Sequence, residues 1–204
     1  AAAPADDTTV ADDGTDDAGA AAAEQAVVAL EVEFGVFSPE VAEALSYAAD
    51  RYREAGMYRE ALRLYQRHRL LIRVNKGLYS LDQLPALEAI IDLQSRLDDW
   101  EAVNGSHEHL LWLFRRNYPS GSPALLPALR RVRNWHINAF GVDSGMDLDA
   151  HYFAAEALYE EGIDILVDNG ATRRAALCFW HPECCREDAD PARLRGCPRE
   201  LRRR

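Results

Sequence analysis

The chain reads as an all-α repeat protein, an α-solenoid of about three antiparallel helix pairs between flexible N- and C-terminal ends. Three observations carry that reading. Leu84-Pro85-Ala86-Leu87 recurs as Leu126-Pro127-Ala128-Leu129, Tyr58 recurs as Trp100 at the same 42-residue offset, and the long apolar segments have a helical period. A repeat of this size is one supersecondary unit that cannot bury its apolar face alone, so it stacks on its neighbours and the stack becomes a binding surface.

Composition adds two atypical ends to one elongated body. Of the net charge of −11, residues 1–33 carry nine acids and no base, residues 34–170 carry 20 acids and 14 bases, and residues 171–204 carry five acids and nine arginines. An acidic body repels phosphate backbones, which argues against nucleic acid as the ligand. Lys76 is the single lysine against 22 arginines, a bias attributed to a GC-rich genome. Residues 1–23 contain three Asp pairs, abundant Ala and almost no large apolar side chain, so they are expected to form a flexible acidic tail. An opening on Ala-Ala-Ala fits a mature end left by signal cleavage and points to a periplasmic or exported protein, although trimming of a cytoplasmic chain would look the same. No apolar run approaches the ~20 residues needed to span a bilayer, so membrane insertion is not expected.

Residues 24–37, with Ala26, Val27, Val28, Leu30, Val32 and Phe34 before Gly35, form a short segment suited to capping the first repeat. Ser38-Pro39 supplies an N-cap and a first-turn proline, and Glu40 complements the helix dipole. Val41, Leu45, Ala48, Ala49 and Tyr52 then share one face until Ala55-Gly56, where glycine takes the left-handed cap. Tyr58, Ala61, Leu62, Tyr65 and Leu70-Leu71-Ile72 mark a second helix ending near Asn75-Lys76-Gly77. Two helices joined so briefly run antiparallel. The next pair is Leu84–Leu97 and Trp100–Asn117, with Asp98-Asp99 as its turn and Tyr118-Pro119-Ser120-Gly121 closing it. Ser122-Pro123 restarts the pattern, its first helix running through Leu126, Leu129, Val132, Trp135 and Ile137 to about Phe140, and the last helix runs from Asp147 to about Val167 before Asn169-Gly170.

The run Leu45, Ala48-Ala49, Tyr52, Gly56, Tyr58, Ala61, Tyr65 resembles the tetratricopeptide repeat, with Gly56–Ala61 similar to its intra-repeat turn. The second repeat keeps Leu87, Ile90 and Trp100 but has Ile91 and Val103 at the small positions, and the third keeps Leu129 and Val132 but loses the turn. The 42-residue spacing is similar to the longer repeat of kinesin light chains. The resemblance covers residues 38–168 and implies a right-handed stack whose first helices line a concave groove. Carried over position by position, the groove residues are Ser46, Asp50 and Arg53, then Glu88, Asp92 and Ser95, then Arg130, Asn134 and Ile137. This groove, acidic toward the first repeat, suits a peptide or helix with a basic segment; the same residues also serve as an ordinary solvated helix face.

Other motifs point more weakly to chemistry. His107 and His109, two apart on a helix, point about 200° apart and do not make the four-spaced zinc pair of a protease. Trp135-His136 reads as core and edge, and Leu78 and Tyr79 are expected to pack under the next repeat. There is no phosphate loop, nucleophile elbow or enforced carboxylate pair, so an enzyme is not expected and no cofactor is assigned. In residues 169–204, rich in Arg and Cys, three readings stand in this order: a poorly ordered end, disulfides, and a zinc clip from Cys178, His181, Cys184 and Cys197 beside Cys185. The functional expectation is a scaffold that binds a protein or peptide partner, with assembly of an envelope complex as one setting. The alternatives are a metal- or redox-responsive module using the Cys-rich tail and a self-associating structural repeat.

Overall fold

The computed structural model describes residues 14–142 and 148–180. Among these residues the chain forms eight α-helices: α1 Gly14–Phe34, α2 Pro39–Glu54, α3 Tyr58–Lys76, α4 Leu84–Arg96, α5 Trp100–Asn117, α6 Leu126–Asn138, α7 Leu148–Asp168 and α8 Arg173–Trp180. Single 3-10 turns occupy Leu81–Gln83, Pro123–Leu125 and Ala139–Gly141, and the described residues contain no strand. The fold is therefore all-α. None of the helices is long and apolar enough to cross a membrane. The described residues form two compact units divided between Asp99 and Trp100, so the two helices of the second expected pair belong to different units.

The 42-residue period is written in the connections as well as in the helices. Ser38, Ser80 and Ser122 recur at that interval, and each caps the helical turn it precedes. Ser38 Oγ accepts from Val41 N (3.2 Å), Ser80 Oγ from Asp82 N (3.2 Å) and Ser122 Oγ from Ala124 N (3.3 Å). The backbone N–H of each also donates to the carbonyl three residues back, on Gly35, Gly77 and Pro119. Gly56 and Asp98, again 42 apart, both take positive φ, 76° and 55°, and the next N–H reaches back to Tyr52 O and Gln94 O. That pair of bonds closes α2 and α4 by the same left-handed cap, once with the residue that adopts it freely and once with an aspartate.

In the first unit α2 packs against α1 and α3, and α3 against α4. Val41, Leu45, Ala48, Ala49 and Tyr52 of α2, Ala61, Leu64, Tyr65 and Leu71 of α3, and Ile90 and Leu93 of α4 form one buried cluster. Alanines at 48, 49 and 61 allow close helix approach, and each fully buried leucine contributes about 2 kcal/mol. Helix α1 starts ten residues before the end of the expected flexible tail, so residues 14–23 are helical. Its buried stripe is small, Ala20, Ala23 and Val27, and polar clamps reinforce it. Glu24 accepts from Tyr52 Oη (2.7 Å) and pairs with Arg63, and Glu31 pairs with Arg67. The Arg63 and Tyr52 bonds hold the Glu24 carboxyl below the ordinary carboxylate range, and the Glu24 bond pushes the Tyr52 phenol up to about 12.

Leu78 and Tyr79 do not pack under the following repeat: they are 42% and 47% exposed. The buried residue that orders this loop is Gln83, whose side-chain amide donates to Leu78 O (2.9 Å) and Ser80 O (3.0 Å).

In the second unit α6 packs against α5 and α7, and α7 against α8. Trp135 is buried, stacks on Trp100 (6.1 Å) and His107 (5.2 Å), and donates from Nε1 to Asn104 Oδ1 (2.9 Å). Helix α8 lies in the stretch expected to be a tail. It is seated by Ala176, Leu177 and Trp180, and a Cβ on Gly162 would overlap the Trp180 ring, so the missing side chain is what admits the indole.

Candidate functional site

Three cavities lie side by side among the described residues of the first unit. The first, about 460 Å³, is bounded by Pro39, Ala42 and Glu43 of α2, His68, Ile72, Asn75 and Lys76 of α3, and Asp82. The second, about 430 Å³, is lined by Ser46, Asp50 and Arg53 of α2, Tyr65 and His68 of α3, and Pro85, Ala86, Glu88, Ala89 and Asp92 of α4. The third, about 300 Å³, takes Arg53, Glu54, Tyr58, Asp92 and Arg96. His68 lines the first two and Arg53 and Asp92 line the last two, so the cavities form a continuous series.

Five of the six residues expected from the first two repeats therefore meet in one cavity. The sixth, Ser95, is half-buried and bonds its own helix, its hydroxyl donating to Ile91 O (2.8 Å), and it lines none of the three cavities. Two lining residues that sequence reasoning missed are Tyr65 and His68. By type and spacing Tyr65 reads only as core. His68 falls on the same face as Leu64, Tyr65, Leu71 and Ile72, and a polar residue inside an apolar stripe is the available signal.

The groove is acidic. Its lining holds Glu43, Asp50, Glu54, Asp82, Glu88 and Asp92 against Arg53, Lys76 and Arg96. Each of these bases is paired: Arg53 Nη2 with Asp50 Oδ1 (2.6 Å), Arg96 Nε with Asp92 Oδ2 (2.9 Å) and Lys76 Nζ with Asp82 Oδ2 (3.2 Å). Asp50 Oδ1 also accepts from Tyr65 Oη (2.6 Å), and Arg53 lies over the Tyr65 ring at 5.9 Å. Burial, then the Asp50 bond, holds the Tyr65 phenol far above its ordinary range, so it stays a donor to that carboxylate. Arg96 covers the Tyr58 ring at 5.3 Å. Asp50 is thus as much a structural acceptor as a groove charge.

The remaining expected positions lie on α6 of the second unit. Arg130 is exposed with its guanidinium over the Phe179 ring at 5.5 Å, and Asn134 is exposed. Ile137 lines a cavity of about 360 Å³ with Arg133, Phe140, Tyr152, Ala155, Glu156 and Tyr159.

Three histidines cluster in the same unit. His107 Nδ1 donates to Val103 O (3.0 Å), while His136 Nδ1 and His151 Nδ1 lie 2.7 Å apart, within hydrogen-bond distance. Burial pushes both His107 and His136 down to about 4, with Arg131 adding to the shift at His107 and the neighbouring histidines at His136. Among the described residues no group of three or more His, Cys, Asp or Glu side chains could hold a metal ion. Cys178, a candidate zinc ligand, is disulfide-bonded instead, and His181, Cys184, Cys185 and Cys197 lie outside the described residues.

No protein-family model matches the chain, and no curated protein matches it.

Proposed function

We propose that this chain is a protein–protein interaction scaffold, a right-handed α-solenoid of tetratricopeptide type that takes a peptide or protein partner with a basic segment in the acidic groove of the first unit. The observation that carries the reading is the convergence of Ser46, Asp50, Arg53, Glu88 and Asp92 on one cavity. Those five are positions that the tetratricopeptide resemblance implies for a groove, and their meeting in one cavity supports the reading. The net negative charge of the lining favours a cationic partner and disfavours nucleic acid. The reading is of binding and not of enzyme catalysis, in an exported protein, with assembly of an envelope complex as its setting.

A second reading has its own support: the disulfide at Cys178 suits an oxidising compartment and a redox-responsive C-terminal segment. Self-association is a third, favoured by the exposed run Val32, Phe34, Val36 and Phe37 at the end of α1. Partner capture from a native lysate separates them. The intact protein should retain a partner that a Glu88→Lys/Asp92→Lys variant of equal thermal midpoint loses. Equal capture by both removes the groove, and a concentration-dependent mass with no other partner selects self-association. These two sites are preferred to Asp50, whose reversal would also strip Tyr65 and Arg53 of their acceptor.

A further inference from the structure

Helix α1 stands in the register of the second helix of a repeat. It ends at Phe34 and α3 ends at Lys76, 42 residues on. Gly35 and Gly77 follow with positive φ, 87° and 102°. Each donates its N–H to the carbonyl four residues back, on Glu31 and Arg73, and accepts from the serine three residues on, Ser38 and Ser80. Helix α1 packs on α2 as α3 packs on α4.

A second helix in this repeat also seats the first helix of its own pair. On α3, Ala61, Leu64, His68 and Leu71 follow one another at helical spacing. Ala61, Leu64 and Leu71 are buried in the cluster that holds α2, and His68 bonds the Ala42 carbonyl of α2. Gly19, Ala22, Ala26 and Ala29 stand 42 residues earlier on α1, and there the three alanines are exposed and Gly19 is half-buried. The rest of this outer side is equally apolar. Of the eight exposed residues between Ala18 and Val32, seven are Ala or Val and the eighth is Gln25, while Glu24 and Glu31 reach across to Tyr52, Arg63 and Arg67. Val28 is 55% exposed and Val32 85%. A helix apolar on all sides is suited to being covered on all sides, and the end of a repeat stack otherwise needs a polar outer face.

We propose that this outer face of α1 docks an amphipathic helix of a partner protein, which takes the place that α2 takes on α3. The seat defines that helix. Alanine in the register of Leu64, His68 and Leu71 removes bulk from α1, so the partner supplies it, with large aliphatic or aromatic side chains three or four residues apart. Exposed Glu33 borders the face, and residues 1–33 hold nine acids and no base, so basic residues flank the partner's stripe. The α1 of a second copy fits neither requirement, since it would set alanine against alanine and acid against acid. Residues 1–13, with Val10 as their single large apolar side chain among four aspartates, do not carry such a stripe. The face shares no residue with the three cavities of the acidic groove, so the proposal stands apart from the reading of that groove.

The test uses the full-length 15N-labelled protein and two synthetic peptides spanning residues 38–55, the segment that contains α2. One has the natural sequence. The other carries Ala42→Leu and Ala49→Leu on its apolar face and Glu40→Lys, Glu43→Lys and Glu54→Lys elsewhere, which makes it bulkier and basic. The modified peptide should shift the amides of residues 18–33 saturably, and the natural peptide should bind more weakly. Ala26→Arg, at an exposed position, should keep the thermal midpoint and weaken the modified peptide about tenfold or more by placing bulk and like charge in the seat. Unmoved amides at residues 18–33 of the wild-type protein, or equal binding by Ala26→Arg, overturn the docking face. Equal binding of the two peptides overturns the chemistry assigned to the partner. Shifts confined to residues 42–53 and 85–92 send the peptide to the acidic groove and overturn the face while leaving the groove reading in place. A wild-type dimer that Ala26→Arg turns monomeric gives the face to a second copy and overturns the partner helix.

Discussion

Acidification from about pH 7.5 to about pH 5 should destabilise the second unit through its buried histidines. His107 and His136 have folded-state pKa values near 4, against roughly 6.5 in an unfolded chain. The unfolded state therefore binds protons first as pH falls. Stability from these groups is complete above about pH 6.5 and is lost progressively toward pH 4, the direction expected of a buried neutral base. At pH 5 such a shift corresponds to about 2 kcal/mol per histidine, and allowing for water reaching the rings halves it to about 1. The pair thus contributes about 2–4 kcal/mol, or a fall of roughly 10 °C or more in midpoint for a unit of this size. Tryptophan fluorescence is a selective assay: all four tryptophans, 100, 112, 135 and 180, belong to the second unit. Glu24 and Asp82, whose pKa values are lowered by their partners, belong to the first unit and lose their contribution from the ordinary carboxylate value downward, at the acid edge of this window, whereas His68, lowered by burial, weakens the first unit in the same direction as the histidines of the second, so an assay confined to the second unit is needed. A midpoint flat between pH 7.5 and 5, or a His107→Gln/His136→Gln variant with an undiminished slope, would refute the reasoning.

Two further perturbations test the packing. Gly162→Ala puts a methyl group into the Trp180 ring, so α8 must shift; a loss of about 1–3 kcal/mol and a red shift in fluorescence are expected, and an unchanged spectrum would show that the indole is not seated there. The paired left-handed caps should respond with opposite signs: Asp98→Gly is expected to raise the thermal midpoint by about 0.5 kcal/mol of stability, and Gly56→Ala to lower it by about 1 kcal/mol. Equal effects at the two positions would contradict the shared geometry.

Much of the helical layout is legible in the sequence because its boundaries are local chemistry. Ser38-Pro39, Ala55-Gly56, Asn75-Lys76-Gly77 and Asn169-Gly170 mark caps whose signals need no tertiary context, and α2 to α7 begin and end close to such signals. Helix α1 is legible only in part. Its Ala-rich first half lacks an apolar stripe, and what secures the helix is Glu24 and Glu31 reaching Tyr52, Arg63 and Arg67, contacts 28 to 39 residues away in sequence. Helix α8 is eight residues long and rests on the notch at Gly162, a feature of α7 that carries no pattern of its own. Leu78 and Tyr79 look like core by type, yet the polar Gln83 takes the buried place because its amide satisfies two loop carbonyls. The groove positions on α2 and α4 are those that the tetratricopeptide resemblance implies. His68 and Tyr65 are not among them, since a groove wall contributed by the second helix of a pair lies outside those positions.

The most direct test of the central claim is a peptide-display selection against the intact protein, run beside its Glu88→Lys/Asp92→Lys variant. The account predicts peptides enriched in basic residues on the wild-type protein and loss of that enrichment on the variant. Enrichment of acidic or charge-free peptides, or the same basic sequences from both proteins, would contradict it.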